Sequence, residues 1–315
     1  MDNIFLQMAI LFVIIVVGFI ARKTKLQDHV FDRTLSRFII YISCPCLVLS
    51  SVLGDTVPPR ELVIPLIAVG LASYVVVLLV AWLCGRLFTH KAEDRGLYSF
   101  MLTFGNVGFI GYPVVAAIFG HEAIFYASVL NFANSLFIYS LGPILVAGKS
   151  GESKQKLSLT FLISPVMCAS YLSIGIVLLQ YQGCPRIISE PLQLLGSITV
   201  PGALLIIGSS IAQMSPRQIL GNISIYVMCF CRLFILPLFV YFFSLLITDS
   251  ALVITINTVL FAMPVATVGV MMCLMANRDE MLMAKGIFIS TLLSMLTIPY
   301  VVVAVQMLNK WLGLE

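Results

Sequence analysis

Five long apolar stretches in the first half of this sequence, roughly 3–21, 33–53, 62–85, 97–119 and 123–147, return in the second half at roughly 160–180, 190–212, 219–247, 252–276 and 281–308. An offset of 157 residues aligns the two sets. Without gaps it also superposes Gly18 on Gly175, Pro59-Arg60 on Pro216-Arg217 and Phe104 on Phe261. About 20 apolar residues make a helix long enough to cross a bilayer, so each stretch is a candidate span. Five is odd, and a second copy that follows five spans must enter the membrane from the opposite face. The pattern predicts an all-α polytopic membrane protein of ten transmembrane helices. They form two inverted five-helix repeats over 1–157 and 158–315, a layout found in secondary transporters.

Composition agrees with the spans. Charged residues make up 10% of the chain and hydrophobic ones 60%, against about a quarter charged in a soluble domain; the mean hydropathy is +1.08. Ten spans use about 200 positions and leave short loops. Met1-Asp2-Asn3 is acidic where a cleavable signal would be basic, so the run 4–20 is expected to stay as a span. Lys and Arg set the orientation. One face of the expected bundle carries Arg60, Arg186 and Lys310. The other carries Arg22, Lys23, Lys25, Arg33, Arg37, Arg86, Lys91, Arg95, Lys149, Lys154, Lys156, Arg217, Arg278 and Lys285. Both termini are therefore expected on the outer side. The net charge of +4 follows from this bias and predicts contact with a bilayer, with no nucleic-acid partner.

The fourth and ninth stretches depart from plain spanning helices. Thr103-Phe-Gly105-Asn106-Val-Gly108-Phe-Ile-Gly111-Tyr-Pro113 gathers three glycines, an asparagine and a proline near mid-membrane. Phe261-Ala-Met263-Pro264-Val-Ala-Thr267-Val-Gly269 again carries a proline about a dozen residues in. Proline removes a backbone donor and clashes with the preceding turn, and backbone freed of helical partners survives in a membrane only beside protein or a water-filled cavity. Pro113 and Pro264 are expected to hold the two breaks open, and breaks at matching places in two halves point to a transport site. Each second half-helix would begin near the midplane, its positive N-terminal end favouring an anion. The C-terminal ends of the first half-helices would converge there too and could hold a cation, and composition leaves both open.

Asn106-x4-Gly111-x-Pro113 and Met263-Pro264, together with Arg232-Leu-x3-Pro237 in the eighth stretch, resemble the auxin efflux carrier family over the whole chain. The loop between the fifth and sixth spans, about 148–157, is similar to that of the compact bacterial members. The resemblance implies an elevator-type carrier of the bacterial inner membrane. Spans 1, 2, 6 and 7 would form a scaffold that also makes a homodimer, and spans 3–5 and 8–10 a moving transport unit. It further implies that Asn106 contacts the substrate. The second break departs from the plant carriers in having no asparagine beside Pro264, which leaves small carboxylates as the expected substrates.

Among polar residues in apolar surroundings, Arg232 is the intramembrane charge. It could neutralise a carboxylate in bidentate fashion or pair with carbonyls at the broken helices. Asn131 and Asn134, three apart on one helix face, Met263 and Thr267 complete the expected substrate-binding set with Asn106, Gly108, Gly111 and Arg232; Asn257 shares their setting. The histidines, His121 among them, fall in expected loops. Gly208-Ser209-Ser210 reads as a small-residue packing face. No zinc-protease, phosphate-loop or serine-histidine pattern stands in the sequence, so neither an enzyme nor a metal or organic cofactor is expected. The expected function is movement of a small organic anion, a mono- or dicarboxylate or an auxin-like acid, with a Na⁺ or H⁺ coupling ion left open. The alternatives are a sodium-coupled symporter of the bile-acid type and an anion channel.

Overall fold

The structure, a computed structural model, describes residues 2–53, 57–148, 163–213 and 223–314. Lys149, Lys154, Lys156, Pro216, Arg217 and the expected boundary between the halves at 157 and 158 lie outside the described residues. In chain order the helices are α1 (Asp2–Lys23), α2 (His29–Ser50), α3 (Arg60–Phe88), α4 (Arg95–Thr103), α5 (Val107–Phe119), α6 (Ala123–Ala147), α7 (Pro165–Leu178), α8 (Arg186–Gln213), α9 (Ile223–Ser244), α10 (Ala251–Phe261), α11 (Val268–Met275) and α12 (Glu280–Leu312). Six of them, α2, α3, α6, α8, α9 and α12, are long and apolar enough to cross a membrane, and α5, α7 and α10 are apolar but shorter. The described residues contain one isolated antiparallel bridge, between Gly105 and Val265, and no strand.

Local chemistry sets several helix ends. Asp28 caps α2 by accepting the Phe31 N–H at 2.7 Å, and Asp279 caps α12 by accepting that of Leu282 at 2.9 Å, satisfying donors that a helix start leaves bare. Prolines act inside helices as well. α2, α5 and α9 widen into π turns over Ile39–Ser43, Val107–Gly111 and Cys231–Ile235, each just before an α segment led by Pro45, Pro113 or Pro237. A proline ring collides with the carbonyl four residues back and offers that carbonyl no donor; a wider turn relieves both.

The chain packs as two compact units. The first comprises Met1–Ile67, Gly108–Phe132 and Leu162–Met214; the second comprises Ala68–Val107, Ala133–Phe161 and Ser215–Glu315. In the first unit, α1 and α8 meet backbone to backbone. A methyl group on Gly18 would lie 2.3 Å from the Leu205 carbonyl oxygen, and one on Gly208 2.0 Å from that of Ile15. Only glycine allows this approach, which is the packing role the small residues around Gly208 predict. In the same unit, Ser173 of α7 donates to the Val48 carbonyl of α2 at 3.4 Å. Val48 and Leu205 are themselves 157 residues apart, so α1 lies on α8 as α7 lies on α2. α2 and α8 are joined where Ser43 donates to the Leu195 carbonyl at 2.8 Å and its Oγ sits 2.6 Å from that of Thr199. Beside them, Asp32 accepts from Gln27 and Ser209, each at 2.6 Å, with Arg22 at 3.6 Å. His121, expected in a loop, is tied to α2 through Nε2, 3.1 Å from the Ser50 hydroxyl.

In the second unit, two polar chains cross the apolar interior. Tyr241 of α9 donates to Asn309 Oδ1 at 2.7 Å, and Asn309 Nδ2 donates to Thr255 at 2.8 Å, linking α9, α12 and α10. Asn257 donates to Ser73 and Ser244, 3.0 Å each. All these groups are buried, where a polar atom without a partner costs about 1–3 kcal/mol.

Candidate functional site

The second unit is organised around the place where two helices stop. α4 ends at Thr103 and helix resumes at Val107; α10 ends at Phe261 and helix resumes at Val268. The interrupted segments run past each other antiparallel. Asn106 donates its N–H to the Pro264 carbonyl at 2.8 Å, and Ala266 donates to the Phe104 carbonyl at 3.0 Å. The two bonds interchange under an offset of 160 residues, from Phe104 to Pro264 and from Asn106 to Ala266. That is three more than the offset aligning the apolar stretches. Between them, Val265 gives its N–H to the Ser290 hydroxyl of α12 at 3.0 Å.

This pairing satisfies some backbone groups by stripping others. In a continuous helix the Asn106 N–H would go to the Leu102 carbonyl and that of Thr267 to Met263. Both carbonyls are instead taken by Arg232, which donates from Nε to Met263 at 3.0 Å and from Nη1 to Leu102. Arg232 has no exposed surface. Its third nitrogen, Nη2, lies where a methyl group on Gly105 would be, 2.6 Å away, and has no hydrogen-bond acceptor among the described residues. The ion pairs among those residues, Arg22–Asp32 and Arg60–Glu61, do not involve it. Of the two roles open to Arg232 from sequence, pairing with carbonyls at broken helices is the one this arrangement displays.

Aromatic rings pack beside the two interrupted segments. Tyr74 of α3, itself buried, packs its ring 6.4 Å from Phe104 and 4.6 Å from Phe261. These are the two phenylalanines that the 157-residue offset superposes. Pairs at such distances add about 0.5–1.5 kcal/mol beyond their area.

The expected site residues divide between the units. Asn106, Asn134, Arg232, Met263, Pro264 and Thr267 belong to the second, and Gly108, Gly111, Pro113 and Asn131 to the first. Asn106 and Met263 are buried at the crossing, whereas Thr267 is exposed at the start of α11. Pro264 supplies a carbonyl to the crossing itself. Pro113 lies in the first turn of Tyr112–Phe119, directly after the π turn Val107–Gly111 and the non-helical residues 104–106. Gly108 faces open space, with no atom within 4 Å of where a methyl group would stand. Asn131 donates to the Tyr112 hydroxyl at 3.0 Å, binding α6 to α5. Ser290 and Tyr74 were not among the expected site residues. Nothing marks a serine in α12 as the partner of a backbone N–H elsewhere, and Tyr74 is one tyrosine in an apolar run.

α5 and α11 begin just after the crossing, and helix N-terminal ends and hydroxyls such as that of the exposed Thr267 are donors of the kind that bind anions. The two carbonyl ends of α4 and α10 already face a fixed cation.

A family model described as membrane transport protein matches residues 3–302. An uncharacterized transporter of Methanocaldococcus jannaschii is 26% identical over 297 residues, covering 92% of this chain and 94% of that protein. An uncharacterized transporter of Methanothermobacter thermautotrophicus is 26% identical over 299 residues, covering 91% and 93%.

Proposed function

The chain belongs to the membrane transport protein family, that of the auxin efflux carriers, and on that premise we propose that it carries a small organic anion, a mono- or dicarboxylate, across the membrane. The observation that carries this reading is the crossing itself: two interrupted helices joined by the reciprocal backbone bonds Asn106 to Pro264 and Ala266 to Phe104, which flank the pair Gly105 and Val265. Unwound backbone is expensive in lipid, and carriers use it to meet a substrate at the midplane. Asn106, Gly108, Gly111, Asn131, Asn134, Met263 and Thr267 are the residues proposed to bind the substrate. Arg232 contributes the positive field.

The carrier has ten spans in two inverted repeats, both termini on the outer side, and belongs in the bacterial inner membrane. The mirrored contacts of α1 with Leu205 and of α7 with Val48, and the shared packing of Phe104 and Phe261 on Tyr74, support the repeat. Alternating access comes from spans 3–5 and 8–10 sliding against spans 1, 2, 6 and 7, which also form a homodimer. The joint packing of α1, α2, α7 and α8 in one unit supports the scaffold, and Gly108–Phe132, from the fourth and fifth spans, shares that unit.

The test is thermal stabilisation of the purified protein by a panel of carboxylates, with Asn106→Ala alongside. One or two acids should raise the melting temperature saturably, and the substitution should remove that shift. No shift from any acid, or a shift that survives Asn106→Ala, overturns the anion reading.

A further inference from the structure

We propose that Arg232 is the resident cation of the crossing: its guanidinium fills the place between two helix C-terminal ends at which a coupling ion would bind, so that the crossing keeps its shape without sodium. The inference rests on the carrier reading for its bearing on transport, but its structural part stands on geometry alone.

Helix C-terminal ends carry bare carbonyls and about half a negative charge each. In carriers with broken helices such ends, together with unwound carbonyls, coordinate the driving cation. Here the last turn of α4 presents the Leu102 carbonyl and the segment after α10 presents that of Met263, and one buried guanidinium binds both. Three features show that the fit is built. Arg232 sits on the π turn Cys231–Ile235, which shifts the side chains of α9 relative to a regular helix. Gly105 has no side chain at the point where Nη2 lies, and a methyl group there would be 2.6 Å from it. No carboxylate pairs with Arg232 among the described residues, so its charge is balanced by carbonyl dipoles, as that of a bound metal cation would be. A planar guanidinium with donors on separate nitrogens reaches two carbonyls at once, which a point charge does less well. Arg232 is thus a positioning residue: it holds Leu102 and Met263, and through them the backbone that presents Asn106 and Thr267. A fixed cation also leaves the two helix ends neutralised whatever the ionic gradient, in contrast to a sodium-coupled symporter.

The experiment needs no substrate for its first arms. Hydrogen exchange of the full-length protein in lipid nanodiscs is followed at 104–106 and 264–266, with melting curves in sodium chloride and in choline chloride. The wild type should melt at the same temperature in both salts. Arg232→Ala should lose protection at those two segments by about tenfold or more. Millimolar guanidinium chloride should restore it, whereas urea, of the same shape but uncharged, should not. A saturable stabilisation of the wild type by sodium, or unchanged protection in Arg232→Ala, overturns the proposal. Should that variant fail to fold, Gly105→Ala carries the test with Arg232 in place: protection at the same segments should fall, and its persistence overturns the proposal. In proteoliposomes loaded with malate as the probe, uptake should be equal in sodium and choline, and sodium-dependent uptake overturns the proposal. Absence of uptake counts against the carrier reading alone, while exchange and melting still decide the role of Arg232.

Discussion

Asn106 gives its backbone N–H to the carbonyl of Pro264 at 2.8 Å, so a bond that would have continued one helix instead joins two. Proline is suited to this position because it offers a carbonyl and has no N–H of its own to satisfy. The diverted bond leaves the Leu102 carbonyl for Arg232, and the geometry of the site follows from that exchange.

Gly105→Ala should destabilise the protein by about 1–3 kcal/mol, the range for overpacking a filled interior. The added methyl group meets Arg232 Nη2 at 2.6 Å and the Leu260 carbonyl at 3.3 Å. Thermal unfolding in detergent checks this, and a melting temperature equal to the wild type would mean that the guanidinium has room to move.

Ser290→Ala should cost about 1–3 kcal/mol, because the buried Val265 N–H loses its acceptor and no water replaces it in an apolar setting. Ser290→Thr, which keeps the hydroxyl, should cost less. The pair is compared by thermal unfolding; equal losses would show that volume, and not the hydrogen bond, decides.

Gly18 and Gly175 are superposed by the 157-residue offset in sequence, yet opposite outcomes are expected. Gly18→Ala drives a methyl group into the α8 backbone at 2.3 Å and should lower the yield of folded protein. Gly175 has nothing within 4 Å, and alanine there should be neutral or stabilise by up to about 1 kcal/mol through better helix propensity. Melting curves of the two variants distinguish packing from sequence symmetry as the cause.

Gly108→Val should leave stability little changed, because open space surrounds the position. On the proposed function it should weaken carboxylate binding by about tenfold, the effect of roughly 1.4 kcal/mol. Unchanged affinity for an acid bound by the wild type would remove Gly108 from the substrate path.

Asp94, in the loop before α4, has its carboxyl pKa raised chiefly by burial, with Lys91 opposing and Glu93 and Asp279 adding to the rise. A carboxylate raised in the folded state favours folding when protonated, so its contribution is present below the ordinary carboxylate value and is lost as pH rises through the raised one. Stability should therefore increase slightly as pH falls through that window, and Asp94→Asn should flatten this part of the profile. Melting temperature against pH for the two proteins gives the comparison.

Much of the architecture is legible from residues alone. Runs such as 62–85 and 281–308 appear as helices α3 and α12, because a long apolar run excludes loops and charges whatever lies around it. The interruptions near Asn106 and Pro264 are legible too, since glycine and proline alter the helix locally. The extent of the first interruption is less legible: residues 104–106 leave the helix, and a π turn over Val107–Gly111 carries the irregularity up to Pro113. The offset of 157 residues that superposes Gly18 on Gly175 and Phe104 on Phe261 in sequence gives way to 160 at the crossing, where the two segments pair through Asn106 with Pro264 and Ala266 with Phe104.

Periodicity, composition and charge bias are properties of neighbouring residues, and they determined that this chain is helical, apolar and interrupted twice at matching places. Which carbonyl Arg232 takes, why Gly105 must lack a side chain and why Ser290 matters depend on atoms brought together from positions as far apart as Leu102 and Arg232. Only the tertiary structure decided those, because a buried backbone group must find a partner wherever the folded chain provides one, and sequence distance does not constrain that choice.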